Sequence, residues 1–226
     1  MNMSPSIIKK MSVGLFGGTF DPIHNGHIVA AKHILEKLSL DHIYFIPAHY
    51  SPFKTSLKIS PPRHRLAMLN LALQKLKKTS VSKFELNRKK ISYTIDTVKY
   101  YKRTASNSDF YFILGLDAFL DISKWKDVAD LFRYAHFVVM NRPGFKMKSL
   151  SEILQNTSIL NEFRTVKKGK IYQHSSGHRI LFFKSPLVDI SSTEIRKKIE
   201  QGEPYSLFVP KQVEIYILTQ GLYKNG

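Results

Sequence analysis

Residues 13–38 restrict the fold more than any other part of the chain. An apolar run from Val13 to Phe16 breaks at Gly17 and Gly18, and apolar residues return at helical spacing from Ile28. A strand that turns at glycines into a helix leaves unpaired backbone N–H groups at the helix start, where the helix dipole also favours an anion. This segment therefore predicts a βα unit whose turn binds a phosphate.

Two histidines in the same segment strengthen this prediction. His24 and His27 are three residues apart, so they lie on one face of the first helical turn and both can donate hydrogen bonds to phosphate oxygens. Glycine turns can also serve packing alone, and two histidines can be metal ligands. The chain has no cysteine, and no acidic residue stands at ligand spacing beside the pair. The coincidence of turn, imidazoles and helix start favours a nucleotide-phosphate site.

The composition predicts a cytoplasmic globular protein with a basic surface. The 226 residues, 43% of them hydrophobic, suffice for a single α/β domain with a substantial core. No apolar run approaches the roughly 18 residues of a membrane span, and the N-terminal residues lack a signal-peptide core. The net charge of +18 attracts phosphorylated substrates, and it also attracts nucleic acid without sequence specificity.

Apolar runs alternate with amphipathic stretches in a βαβ rhythm. The predicted strands are Met11–Phe16, His42–Ile46, Ser80–Leu86, Asp109–Leu114, Ala135–Met140 and Arg179–Phe183. Helices are predicted at about 25–38, 61–77, 93–103, 125–133, 191–200 and 210–219. We expect a doubly wound, mostly parallel Rossmann-like sheet with C-terminal helices, in one domain over residues 1–226, and with ligands beyond the carboxyl ends of the strands. The lysine-rich stretch of about 145–177 is interpreted as an insertion or mobile loop.

A second helix start also offers groups for an anion. Ser191 and Glu194 have the S-x-x-E spacing of a capping box, which any helix can use. The hydroxyls of Ser191 and Thr193, with Arg196 one turn later, are equally suited to a polyphosphate tail. Both interpretations stay open on the residues alone.

Four further residues have a functional interpretation beside a structural one. Asp117 follows a buried strand, and it can accept from ribose hydroxyls, hold Mg²⁺ through water or cap the next helix. Trp125 can stack on a planar ring or pack in the core. Ser92 is a plain helix-cap candidate in the sequence Ser92-Tyr93-Thr94, and Lys54 belongs either to a loop that covers phosphates or to the ordinary surface.

Together these residues resemble the H-x-G-H nucleotidyltransferases and, within them, the bacterial nicotinate-mononucleotide adenylyltransferases. The similarity covers about residues 11–223, and its matches are Gly17-Gly18-Thr19-Phe20-Asp21-Pro22-Ile23-His24-Asn25-Gly26-His27, Ser92-Tyr93-Thr94, Gly115-Leu116-Asp117 with Trp125, Arg142-Pro143-Gly144, residues 190–196, Val209-Pro210 and Gly221-Leu222-Tyr223. Two departures are Ser51-Pro52-Phe53-Lys54 in place of Pro-Pro-His-Lys, and Lys89-Lys90-Ile91 before Ser92.

The resemblance implies adenylyl transfer from ATP to nicotinate mononucleotide in NAD biosynthesis, giving deamido-NAD and pyrophosphate by direct in-line attack. It implies catalytic roles for His24, His27 and Arg196. It assigns ATP to Gly17, Gly18, Thr19, Phe20, Lys54, Asp117, Ser191 and Thr193, and the mononucleotide to Thr94, Trp125 and Arg142. Mg²⁺ is expected on the ATP phosphates without direct protein ligation.

Three alternatives follow from the same residues. Another adenylyl- or cytidylyltransferase of the superfamily is disfavoured by Trp125 and Ser92-Tyr93-Thr94, which suit a pyridine ring. An aminoacyl-tRNA synthetase is disfavoured by the short chain and the lack of a K-M-S-K-S motif. A non-catalytic nucleotide sensor or nucleic-acid binder agrees with the charge, but it does not need His24, His27 and Arg196. We expect small-molecule partners, no specific nucleic acid and no membrane, and a homo-oligomer is compatible with the sequence.

Overall fold

The computed structural model describes residues 10–50, 52, 59–141, 149–155, 157–184 and 190–224. The strands of these residues are β1 Met11–Gly18, β2 His42–Pro47, β3 Thr79–Val81, β4 Ser108–Gly115, β5 His136–Asn141, β6 Phe163–Lys167, β7 Ile171–His174 and β8 Arg179–Lys184. The α-helices are α1 Asn25–Lys37, α2 Pro62–Leu73, α3 Phe84–Arg88, α4 Thr94–Thr104, α5 Leu116–Leu120, α6 Val128–Tyr134, α7 Leu150–Ile153, α8 Ser192–Glu200 and α9 Lys211–Thr219. Short 3₁₀ turns cover Ile122–Lys124, Ser158–Glu162 and Ser206–Phe208.

One sheet contains all the described strands, in the order β3-β2-β1-β4-β5-β8-β7-β6. The first six strands of that order are parallel, whereas β7 is antiparallel to both β6 and β8. The strand order reverses between β1 and β4, because the chain runs outward to β2 and β3 before it returns. Such a reversal opens a crevice beyond the carboxyl ends of the two central strands.

Helices cover both faces of the sheet, as expected for buried parallel strands. On β4, Phe110, Phe112 and Leu114 pack with α4, α5, α6 and α7, whereas Ile113 packs with α1, α2, α8 and α9. This alternation follows from the two-residue repeat of a strand. Both faces of the central strands are therefore core, and the functional groups are left to the strand ends.

The predicted fold class, an α/β and mostly parallel sheet, is confirmed. The strand predicted at Ser80–Leu86 is only partly right, because β3 ends at Val81 and α3 begins at Phe84. Phe84 and Leu86 suggested alternation, but Phe84 stacks on Tyr100 with ring centroids 4.0 Å apart, and Leu86 is buried from the helix. Tertiary packing of the two side chains thus decides against a longer strand.

The stretch of about 145–177 contains regular structure in its described part. Helix α7, a 3₁₀ turn and the strands β6 and β7 lie there, and the two strands extend the sheet through β8. The described part of this stretch is thus regular structure at the edge of the sheet, and an insertion or mobile loop at about 145–177 stays a prediction. In the described part of the chain no helix is long and apolar enough to cross a membrane.

Candidate active site

A cavity of about 680 Å³ opens at the carboxyl ends of β1 and β4, where the strand order reverses. Its wall is built by the loop after β1, the start of α1, the end of β4 with α5, the approach to α4, and the start of α8. The predicted site residues that line it are Gly17, Gly18, Thr19, Phe20, His24, His27, Thr94, Asp117, Trp125, Ser191, Thr193 and Arg196.

The turn after β1, here called the glycine loop (residues 17–24), approaches its neighbours very closely. A Cβ atom on Gly17 would lie 2.7 Å from Cζ of Phe112, so a larger residue would have to displace a ring of the cavity wall. Phe20 has φ 52°, a left-handed conformation that non-glycine residues adopt rarely. The carbonyl of Thr19 accepts from Nη1 of Arg65 at 2.9 Å. Since a trans peptide is planar, the Phe20 N–H points away from Arg65.

His24 and His27 meet at the start of α1. His24 is the N-cap residue and is 2% exposed, and its ring centroid lies 3.7 Å from that of His27. The backbone N–H of His24 donates to Nδ1 of His27 at 3.3 Å. In a neutral His27 this contact places the ring proton on Nε2, which makes Nε2 a hydrogen-bond donor. The predicted pairing of the two imidazoles on the first turn is thus present in the structure.

Helix α8 brings its N-terminus to the same loop. Arg196 donates from Nη1 to the carbonyl oxygen of Asp21 at 2.7 Å, and from Nη2 to Oγ1 of Thr193 at 3.3 Å. The hydroxyl of Ser192 donates to the carbonyl oxygen of Pro22 at 2.9 Å. The N-termini of α1 and α8 therefore converge on one side of the cavity, and both helix dipoles favour an anion there.

The capping interpretation of Ser191 is confirmed. Its hydroxyl accepts from the N–H of Glu194 at 3.1 Å, and the Ser191 N–H donates to Oε2 of Glu194 at 2.7 Å. Ser191 nevertheless lines the cavity. A cap and a place beside a ligand are compatible, because the cap fixes the helix start and leaves its other N–H groups to the cavity.

One part of the cavity wall, here called its aromatic end, carries Trp125 and Tyr93. Half-buried Trp125 stands edge-on to Phe112 with ring centroids 6.3 Å apart, and Tyr93 lies beneath the ammonium group of Lys126 at 4.8 Å. Thr94 is the first residue of α4 and also faces this space. The end can receive a flat ring against aromatic surfaces, with a helix N-terminus beside it.

Two cap predictions are wrong. Ser92 does not cap α4, because the N-cap is Tyr93 and the Ser92 hydroxyl accepts from the N–H of His49 at 3.0 Å. Asp117 does not cap α5, whose N-cap is Gly115. The exposed Asp117 side chain lines the cavity at the end of β4, where its carboxylate is available to a ligand.

The buried Arg65 of α2 holds the loops of the cavity from behind. It is 1% exposed, and besides Thr19 its guanidinium donates to the carbonyl oxygens of Ala48 at 2.7 Å and Ser60 at 3.0 Å. Burial lowers the pKa of Arg65, and the nearby Asp21 carboxylate opposes that shift. The side chain stays charged, since arginine starts from a pKa above 12. One residue thus joins the glycine loop to the segment after β2.

A second buried polar residue, Glu85 of α3, reaches the cavity from below α4. Its Oε1 accepts from Oγ1 of Thr97 at 2.5 Å, and Ser92 also hydrogen-bonds to this carboxyl group. Burial raises the pKa of Glu85, and these two hydrogen bonds oppose the shift. Glu85 therefore fixes the approach to α4, and with it the position of Thr94.

Arg65, Glu85 and Tyr223 were not among the predicted site residues, although Tyr223 belongs to one of the matching motifs. Neither Arg65 nor Glu85 carries a local signal, because each acts through contacts with residues distant in sequence. Lys54 and Arg142, predicted for ATP and the mononucleotide, lie outside the described residues.

Comparisons with known proteins agree with this geometry. The profile of a family described as cytidylyltransferase-like matches residues 15–198. A "probable nicotinate-nucleotide adenylyltransferase" of Clostridium botulinum (strain Loch Maree / Type A3) is 38% identical over 210 residues, which cover 93% of this chain and 98% of the relative. A protein of the same name from Clostridium tetani is 37% identical over 210 residues, with the same coverage of 93% and 98%.

A similar fold is found in a solved structure. The Plasmodium falciparum nicotinic acid mononucleotide adenylyltransferase complexed with NaAD superimposes with a TM-score of 0.68 and is 21% identical. The match covers 94% of this chain and 97% of that chain. At this identity the likeness concerns the fold.

Proposed function

Since the chain belongs to the cytidylyltransferase-like family, we propose that it is a nicotinate-nucleotide adenylyltransferase of NAD biosynthesis. It transfers the adenylyl group of ATP to nicotinate mononucleotide and releases pyrophosphate. Relatives named as probable nicotinate-nucleotide adenylyltransferases match almost the whole chain and support this reaction. The residues below are assigned on the geometry of the cavity.

One observation carries the proposal, and it is the convergence of two helix N-termini on a cavity whose wall also has an aromatic side. His24 and His27 belong to the start of α1, and Arg196 lies one turn into α8. The wall at these helix starts suits the phosphates of ATP, with Gly17, Gly18, Thr19 and Phe20 in the glycine loop and Ser191 and Thr193 at α8. A nucleic-acid binder would need no enclosed site of this kind.

The aromatic side suits the acceptor. Trp125 and Tyr93 offer ring surfaces for a pyridine, and Thr94 stands at the start of α4 beside them. Exposed Lys126 places a positive charge at the same end, 4.8 Å from the Tyr93 ring. Asp117, at the end of the central strand β4, is assigned to the nucleotide, whose ribose hydroxyls can donate to its carboxylate.

The reaction needs no general base from the protein. The phosphate monoester of the acceptor has its second pKa near 6, so it is a dianion at neutral pH. One of its oxygens forms a bond to the α-phosphorus of ATP, the bond from that phosphorus to the bridging oxygen breaks, and pyrophosphate leaves with the electron pair. His24, His27 and Arg196 hold the phosphates in line and donate hydrogen bonds to the charge that develops on them.

A divalent metal fits this site as a companion of the nucleotide. In the described part of the chain, no three His, Cys, Asp or Glu side chains form a group that could hold a metal. Mg²⁺ characteristically keeps several waters and binds through one or two carboxylates together with substrate phosphates. The ATP phosphates would hold the ion, and a contact with the Asp117 carboxylate through water is the alternative to its ribose role. When bound, Mg²⁺ neutralises charge on the polyphosphate.

Pyrophosphate release from MgATP tests the function, with nicotinate mononucleotide and nicotinamide mononucleotide offered in separate reactions. Turnover with the acid form is expected, and its ratio to turnover with the amide measures acceptor selectivity. Binding of ATP without release on either acceptor would contradict the proposal and direct the search to other phosphate acceptors. Strong, salt-sensitive binding of nucleic acid without turnover would support the binding-protein alternative.

We also place the enzyme in the cytoplasm, with Mg²⁺ and two small-molecule substrates and without a nucleic-acid or membrane partner. Fractionation of the native cells tests the compartment, and a sedimentation measurement tests whether the chain forms a homo-oligomer.

A further inference from the structure

The acidic residue of the glycine loop is held by an unexpected partner, the hydroxyl of a tyrosine at the far end of the chain. Asp21 is 1% exposed and lies between the residues assigned to the ATP phosphates. Its Oδ1 accepts from the hydroxyl of Tyr223 at 2.6 Å, and its Oδ2 accepts from the backbone N–H of Ser60 at 2.9 Å. Both carboxylate oxygens are thus engaged on the protein side of the loop.

This engagement matters because Asp21 is a wall residue of the cavity. A carboxylate turned toward a polyphosphate would repel it, and a buried carboxylate without donors is costly. The Tyr223 hydroxyl, the Ser60 N–H and the neighbouring Arg65 together neutralise and orient the group. The same residue offers its backbone carbonyl to Arg196 at 2.7 Å. A shift of the Asp21 backbone would therefore disturb the partner of a proposed catalytic residue.

Tyr223 has an unfavourable backbone conformation that places its hydroxyl beside Asp21. The chain leaves α9, turns at Gly221, and holds Tyr223 at φ 64°, in the left-handed region that is unfavourable for a residue with a large side chain. The half-buried ring packs against the core beside α2, and its hydroxyl lies 3.9 Å from Sδ of Met68. Packing of the ring stabilises this conformation, which places the Tyr223 hydroxyl within hydrogen-bonding distance of Asp21.

We propose that Tyr223 is a positioning residue, which acts through the Asp21 carboxylate to hold the glycine loop in its ATP-binding shape. This inference rests on the proposed function for the identity of the ligand. Tyr223 itself touches no substrate. Its loss leaves Oδ1 of Asp21 without a donor among the described residues, and the loop loses its hydrogen bond to Tyr223.

The chain offers a matched pair of variants. Tyr223→Phe removes one hydroxyl and keeps the ring. Tyr216→Phe on α9 removes another hydrogen-bonded hydroxyl, whose described partner is Nδ1 of His64 at 3.0 Å and not a residue of the glycine loop. Both variants lose one hydrogen bond, and the melting temperature should fall further for Tyr223→Phe, because its lost bond is to a buried carboxylate. Only Tyr223→Phe should change the handling of ATP.

Steady-state kinetics and direct titration with ATP give the decisive readouts. For Tyr223→Phe we expect kcat/KM for ATP to fall about tenfold, the change that loss of one charge-assisted hydrogen bond produces. The KM for nicotinate mononucleotide should stay within about twofold, and ATP affinity by calorimetry should fall in parallel. In an Asp21→Ala background, Tyr223→Phe should have no further effect if the tyrosine acts through that carboxylate.

The outcomes separate this inference from the proposed function. If the parent protein binds ATP but transfers nothing, the function fails, and the ATP affinities of the two variants still decide the role of Tyr223. If the parent is active and Tyr223→Phe matches it, or if Tyr216→Phe loses as much, the positioning role is refuted. Should Asp21→Ala not fold, the comparison of the two tyrosine variants remains sufficient.

Discussion

Replacing Arg65 by methionine should remove much of the stability of the protein. The guanidinium makes three hydrogen bonds of 3.0 Å or shorter, to the carbonyl oxygens of Thr19, Ala48 and Ser60. A hydrogen bond to a charged group contributes about 1.5–3 kcal/mol, so three at the low end give about 4–5 kcal/mol. The substitution also leaves the buried Asp21 carboxylate without its neighbouring cation, which adds to the cost.

This loss is large compared with the free energy of unfolding of about 5–15 kcal/mol that is typical of a domain. Urea denaturation followed by circular dichroism measures it, because the midpoint and the slope give the free energy of unfolding. Arg63→Met is the matched control, since Arg63 is an exposed arginine on the same helix, and it should change that free energy by about 0.5 kcal/mol or less. A loss below about 1.5 kcal/mol for Arg65→Met would refute the assignment of these bonds as structural ties.

Two further predictions concern histidines. His27→Ala should lower turnover about 10²-fold or more if the ring stabilises transition-state charge. His33→Ala is the control and should not lower turnover, because His33 is also on α1 but is not among the described residues that line the cavity. Equal rates for the two variants in a pyrophosphate-release assay would remove the proposed role of His27. Burial and, second, the neighbouring His178 lower the pKa of His136 to about 4. The unfolded chain binds this proton near pH 6.5, so the free energy of unfolding should fall as the pH drops from 6.5 toward 4, by up to about 1.4 kcal/mol per pH unit for this group. His136→Phe, which keeps a ring against Tyr111, should flatten that dependence in urea titrations, and an unchanged slope would contradict the assignment.

The central strands were predictable because burial on both faces leaves a plain apolar signature. β1, β2, β4, β5 and β8 appear in the sequence as short apolar runs; the structure extends β1, β2, β4 and β8 by one or two residues and shifts β5 by one. β6 and β7 have no such signature. Four of the five residues of β6 are exposed. The strand pairs with β7 through backbone hydrogen bonds, which a pattern of side chains does not reveal.

The candidate site divides in the same way. The place of His24, His27 and Arg196 at one cavity was predictable because short motifs carry them, and their catalytic roles stay a prediction. Arg65 and Tyr223 were not assigned roles in advance, since their contacts in the glycine loop lie 46 and 202 residues away in sequence. The sequence alone does not distinguish a buried arginine from an arginine on the surface. Only the fold brings the guanidinium under the loop and the last tyrosine onto Asp21.

The overall charge of the chain does not explain recognition of phosphate at the cavity. Net charge is +18, yet the described charged residues of the cavity wall include more acids than bases, namely Asp21, Glu85, Asp117 and Asp121 against Lys124, Lys126 and Arg196. Selectivity must then come from directed groups, which are the N–H groups at two helix starts, two imidazoles and one guanidinium. The basic surface acts at longer range, where it raises the rate of encounter with anions and is screened by salt. This division explains why an acidic residue within the glycine loop needs donors on both of its oxygens: the local field, and not the net charge, decides whether a polyphosphate is held there.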